Sequence, residues 1–201
     1  MRRSAVFFLA LILLAAPNAN AKNQIPGVVV TASCAGGTYS AVNSPDGTTL
    51  SILFDNFVIT TALGAAGRVE RKSCSIQVPL NLPEGYSLGV YKVDYRGFSR
   101  LSDKQEANLS FDYALGARDK TRTYRRKIQG ASDGEFVFSE TIGAGLMKRA
   151  GCGEAAVLNV VAALELQTTR QPGEAMVALD SIDGAPKGGL IYHLDLKKCG
   201  K

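Results

Sequence analysis

Between residues 118 and 127 the chain carries Arg118, Lys120, Arg122, Arg125, Arg126 and Lys127 against one acid, Asp119. If this run is extended, alternation sends Arg122, Tyr124 and Arg126 to one side and Arg125 and Lys127 to the other. A cationic strip with one aromatic ring results. It could engage phosphate or carboxylate groups through charge-assisted hydrogen bonds, as an envelope glycan, lipopolysaccharide or extracellular DNA would offer. The same run also suits a solvated edge strand, whose charges keep it from pairing with another chain.

Other reactive residue types are sparse. A single histidine, His193, removes every mechanism that needs two, which covers most His-ligated zinc sites and proton relays. It sits in Leu190-Ile191-Tyr192-His193-Leu194, where alternation places it opposite Tyr192 and Leu194, on the wetter face. Catalytic use would require an Asp or Glu brought across the fold. No Gly-x-Ser-x-Gly elbow is present, and Ser181, between Asp180 and Asp183, reads as part of a turn. Asp180-Ser181-Ile182-Asp183-Gly184 supplies only two carboxylates, too few for Ca²⁺ with its six to eight oxygen ligands, and reads as an Asp-Gly hairpin. Eighteen acidic residues leave room for a glycosidase-type carboxylate pair, but none is singled out. No catalytic residue, metal site or cofactor is therefore assigned. Tyr91, Val93 and Tyr95 share one strand face ahead of Arg96-Gly97-Phe98 and read as core or rim, because a sugar-binding platform needs exposed rings and the chain has no Trp. Arg71 could pair with Asp94 or reach solvent.

The elements that must position these residues follow from the rest of the chain. Its 201 residues, 46% hydrophobic and 20% charged, describe one ordinary globular domain and exclude intrinsic disorder, a coiled coil and a multispanning membrane protein. Arg2 and Arg3, the uncharged run Ala5 to Ala16 and Pro17-Asn18-Ala19-Asn20-Ala21 form a secretory signal peptide over residues 1–21, too short in its apolar run to span a bilayer. No transmembrane span is expected after cleavage. Removing Arg2 and Arg3 lowers the formal charge from +5 to +3, which is mild and demands no intracellular nucleic-acid partner. Cys34, Cys74, Cys152 and Cys199, an even number in an exported chain, argue for two disulfides, and sequence alone permits three pairings.

Period-two alternation recurs in Leu50-Ile52-Phe54, Ile76-Val78-Leu80-Leu82, Leu109-Phe111-Tyr113, Ala156 to Leu166 and Leu190-Tyr192-Leu194-Leu196, so each run would bury one face. Turn signals such as Ser44-Pro45-Asp46-Gly47 and Pro83-Glu84-Gly85 separate them. Ala, Leu and Glu favour a helix over Glu154 to Thr168, yet alternation and the lack of a cap favour a strand. About ten strands at this spacing predict an all-β fold, an antiparallel β-sandwich with a jelly roll among its variants. A short leader at 22–27 and a single domain over 28–201 complete the expected organisation.

Ordered blocks along the chain resemble the secreted family known as domain of unknown function 4360. They include Ser33-Cys34-Ala35-Gly36-Gly37-Thr38, Ser44-Pro45-Asp46-Gly47-Thr48, Phe54-Asp55-Asn56-Phe57 and Arg71-Lys72-Ser73-Cys74. Further along come Leu82-Pro83-Glu84-Gly85-Tyr86, Val93 to Phe98, Cys152-Gly153, Leu158-Asn159-Val160, Asp180 to Gly184 and Lys198-Cys199. The resemblance implies secretion and paired cysteines but no known reaction. It favours pairing Cys34 with Cys74 and Cys152 with Cys199, one staple in each half of the domain. Two departures stand out. Gly116 to Lys127 is basic where the family carries an aromatic, Ser/Thr-rich stretch. Met147 and Tyr192 stand where an aromatic residue, often Trp, commonly precedes the third and fourth cysteines.

These readings converge on a secreted or periplasmic protein that acts as a non-catalytic binding or structural module, with a glycan or anionic polymer as partner. Arg118, Lys120, Arg122, Tyr124, Arg125, Arg126 and Lys127 are the candidate contact residues. The alternative is a secreted hydrolase with a glycosidase-like carboxylate pair.

Overall fold

The structure, a computed structural model, describes residues 31–34, 38–61, 67–116, 121–143, 148–168, 174–179 and 188–200. The expected signal peptide at 1–21, the expected leader at 22–27 and the expected turn at 180–184, with Arg118, Lys120 and Met147, lie outside these residues. The strands run in chain order. β1 (Thr31–Cys34), β2 (Thr38–Asn43), β3 (Thr49–Asp55), β4 (Val58–Thr61) and β5 (Val69–Leu80) come first. Then come β6 (Tyr86–Leu101), β7 (Glu106–Leu115), β8 (Arg122–Gln129) and β9 (Ser132–Thr141). Last are β10 (Arg149–Gly151), β11 (Ala156–Gln167), β12 (Ala175–Ala178) and β13 (Gly189–Lys198). No helix occurs among the described residues, so none there could cross a membrane.

Two antiparallel sheets form the layers. The five-stranded sheet has the order β1-β5-β11-β7-β8. The eight-stranded sheet runs β2-β3-β13-β6-β12-β4, with β9 and β10 pairing along the other edge of the long strand β6. Alternation explains the layering: Ile76, Val78, Leu158, Val160, Phe111 and Leu109 from one sheet are buried with Leu50, Ile52, Val93, Tyr95 and Tyr192 from the other. β11 is the segment whose composition favours a helix. Sandwiched between β5 and β7, it buries alternate residues from Ala156 to Leu166 and leaves the others towards solvent, so packing overrides propensity.

The expected runs need three adjustments. β5 ends at Leu80, and Leu82 packs on the core from beyond the strand. Leu196 lies 46% exposed, because the end of β13 extends past the cover of the other sheet. Tyr91 does not share the buried face of Val93 and Tyr95. Across β13, His193 pairs with Lys92 but Leu194 pairs with Val90, a β-bulge that adds one residue to β6 and turns Tyr91 outwards.

Disulfides join Cys34 to Cys74 across β1 and β5, and Cys152 to Cys199 between the β10 end and the chain terminus. The Ser44–Gly47 turn closes as read, the Gly47 amide donating to the Ser44 carbonyl at 2.9 Å and Asp46 accepting from the Ser44 hydroxyl and from the Thr48 amide and hydroxyl.

Candidate functional site

β8 is the edge strand of the five-stranded sheet, hydrogen-bonded to β7 on one side only. Alternation divides its cations as the sequence indicates, but the two sides meet different surroundings. Tyr124 faces inwards, 8% exposed, and stacks on Tyr95 with ring centroids 4.3 Å apart and planes 4° from parallel. Tyr95 in turn stacks on Phe111 at 4.4 Å. The Arg126 guanidinium sits 4.7 Å from the Tyr124 ring and 6.0 Å from that of Phe138, capping this aromatic ladder where β8 lies over β9. Tyr124 is thus a core residue rather than a ligand platform. Burying its ring stabilises the fold by about 2 kcal/mol, which leaving it exposed would forfeit.

Arg125 and Lys127 face outwards and meet residues that sequence proximity could not supply. The strand register places Lys127, Asn108, Glu165 and Arg71 in one row across β8, β7, β11 and β5. Arg125, Ser110, Ala163 and Ser73 form the next row. In the first row Arg71 Nε donates to Glu165 at 2.6 Å, Lys127 Nζ donates to Glu106 at 3.0 Å, and Asn108 Nδ2 donates to Glu106 at 3.2 Å and to Glu165 at 3.5 Å. Arg71 therefore pairs with Glu165, not with Asp94. Hydrogen bonds from Lys127 and then Asn108 hold the Glu106 carboxyl below its ordinary range. In the second row three small residues lie beside Arg125, which has no hydrogen-bond or ion-pair partner among the described residues. Together the rows line a groove of about 720 Å³ on the outer face of the sheet. Arg71, Arg125 and Lys127 present their charges to it beside Glu165, with Glu106 at its margin, whereas Arg126 and Lys72 border it but turn their charges inwards, to the Tyr124 ring and to the Asn56 carbonyl.

On the outer face of the eight-stranded sheet, His193 does have a carboxylate partner. Its Nε2 lies 2.8 Å from Asp94 of the neighbouring strand β6. Asp94 also accepts from the Ser139 hydroxyl on β9 and from Lys92 Nζ at 2.9 Å. Ser139 donates to the carboxylate rather than to the imidazole, so this is no nucleophile–base–orienter chain. Burial alone would raise the Asp94 carboxyl, but the hydrogen bonds from Ser139, Lys92 and His193 outweigh it and bring it down to about 2. Sequence reasoning did not find Asp94, because the two residues are 99 positions apart and meet only through the β6–β13 register. Among the described residues no group of three His, Cys, Asp or Glu side chains is placed to hold a metal ion.

A relative from Arthroderma benhamiae, described as an uncharacterized secreted protein, is 24% identical over 166 residues, covering 83% of this chain and 67% of that one. Among solved structures, TmCBM61 in complex with β-1,4-galactotriose is 9% identical with a TM-score of 0.30, over 85% of this chain and 88% of that chain. The enzymatically active domain of bacteriophage CBA120 tailspike protein 4 is also 9% identical, with a TM-score of 0.27 over 86% of this chain and 20% of that chain. No ligand or activity follows from likenesses at such scores. With its two disulfides and a secreted relative, the protein is placed outside the cytoplasm. Over residues 27–199 the sequence matches the family described as domain of unknown function (DUF4360), and the chain belongs to that family.

Proposed function

We propose that this exported member of the family is a non-catalytic binding module that takes an anionic glycan chain along the outer groove of its five-stranded sheet. One observation supports the reading: Arg71, Arg125 and Lys127 face the groove, and Arg125 has no hydrogen-bond or ion-pair partner among the described residues. A guanidinium presents a planar fork that matches a carboxylate or sulfate bidentately, and an unpaired one loses no existing bond on taking a ligand. Ser73, Ala163 and Ser110 keep the floor beside it low. Glu165 and Asn108 on the neighbouring row supply acceptors and donors for sugar hydroxyls.

The hydrolase alternative now has a specific pair to name, Glu106 and Glu165, which share Asn108 as a donor. A glycosidase acid must keep its proton until the bond breaks, which requires a raised pKa. Here Lys127 and Asn108 hold Glu106 in its ionised form, and the Arg71 guanidinium lies 2.6 Å from Glu165. Glu106 is thereby kept from serving as the acid, so binding is favoured over cleavage.

The test is affinity electrophoresis of the purified mature protein in gels containing polygalacturonate or, as neutral controls, soluble β-glucans. We expect retardation by polygalacturonate alone, weakened by added salt, and at least a ~10-fold loss of affinity in the Arg125→Glu/Lys127→Glu variant. The reading fails if neutral glucans retard the protein equally, if the double variant binds unchanged, or if the polymer is shortened on incubation.

A further inference from the structure

The eight-stranded sheet carries a feature on its outer face that the groove does not use. The bulge in β6 keeps Leu88 and Val90 buried on one side of it and Val93 and Tyr95 buried on the other, and ejects Tyr91, which is 41% exposed. Packing gains nothing from an aromatic ring held in solvent, and bulges are found where a strand must re-aim a side chain. The ejected ring does not stand alone. It lies 5.9 Å from the imidazole of His193, the two planes tilted by 55°, so the rings form an open corner on the sheet surface.

The polar groups at this corner are held rather than loose. Asp94 is only 4% exposed and is already engaged by Ser139, Lys92 and His193, so its work is to fix its neighbours. In the tautomer that donates from Nε2 to the carboxylate, Nδ1 is an acceptor, and it has no partner among the described residues. Lys92 Nζ, bonded to both Asp94 oxygens, retains a further proton to donate. The corner therefore combines an exposed aromatic face, one fixed acceptor and one fixed donor. A pyranose ring offers the complement: an apolar C–H face and equatorial hydroxyls that both donate and accept.

We infer that Tyr91, His193 and Lys92, braced by Asp94, form a second binding site that takes a single neutral pyranose unit. The C–H face of the sugar packs on the Tyr91 ring, one hydroxyl donates to His193 Nδ1 and another accepts from Lys92. This site lies on the opposite side of the sandwich from the groove and stands whether or not the groove binds anions.

Because His193 is the sole histidine, its ring protons give isolated NMR signals that report on this corner alone. The test is a titration of the mature protein with methyl β-D-glucopyranoside, methyl β-D-galactopyranoside, methyl β-D-xylopyranoside and methyl α-D-mannopyranoside. At least one glycoside should shift the His193 signals in a saturable way with a midpoint of ~10 mM or tighter, as suits a ligand of this size. Tyr91→Ala should weaken that midpoint at least ~10-fold, Tyr91→Phe should preserve it, and Arg125→Glu should leave it unchanged. The inference is overturned if no glycoside moves the signals up to ~100 mM, or if the same saturable shift persists in Tyr91→Ala. An unchanged thermal midpoint in Tyr91→Ala shows that any loss is not one of folding.

Discussion

Ser139, Lys92 and His193 all donate to Asp94, and the direction of its titration follows from that environment. Its folded value of about 2 lies below the ordinary 3.8, so the ionised carboxylate favours the native state. The associated stability, about 2 kcal/mol, is fully present above the unfolded value and is lost as pH falls towards 2. Asp94→Asn should therefore lower the urea-unfolding free energy by about that amount at pH 7, and variant and wild type should converge by pH 2. Equal stabilities at pH 7 would show that the three donors contribute nothing net. Alternation assigned His193 to the wetter face correctly, because a strand residue's side depends on its own neighbours. Its partner was not legible, because which acid faces it depends on how β6 and β13 are aligned. Arg71 teaches the same lesson: Asp94 and solvent were the candidates, and the register supplied Glu165.

At the scale of elements, β8 separates what periodicity determines from what it leaves open. The division of its cations between two sides is a property of any strand. That one side would be covered follows from Tyr95 of β6 and Phe138 of β9 lying beneath it, so Tyr124 became core and the outward-facing cations are Arg125 and Lys127, beside Arg71 from β5. The β6 bulge was equally hidden, since an inserted residue changes pairing without altering composition. Gly97 shows how closely β6 is hemmed by its neighbours. A Cβ there would meet the Ala178 carbonyl oxygen at 2.1 Å and the Phe136 ring at 2.5 Å. The carbonyl belongs to the backbone of β12 and cannot rotate aside, so Gly97→Ala must push β12 from β6. We expect a loss of about 2 kcal/mol in chemical denaturation. Gly143→Ala, with nothing within 4 Å of the added carbon, should cost little. Comparable stabilities for the two variants would contradict this packing.

For the molecule as a whole, net charge is a poor guide to where cations gather. The formal excess of +5 is modest for 201 residues, yet the antiparallel register gathers cations from β5 and β8 into one groove. Such concentration is a product of topology, and neither composition nor local motif reveals it. The all-β architecture was legible because half-buried strands impose alternation over many residues. The most direct test of the central claim is amide chemical-shift mapping of the isotope-labelled mature protein with a defined oligogalacturonate. Perturbations should cluster at Ser73, Asn108, Ser110, Arg125, Lys127 and Ala163 and shrink as salt is added. Perturbations confined to other surfaces, or a spectrum unmoved by saturating oligomer at low salt, would contradict it.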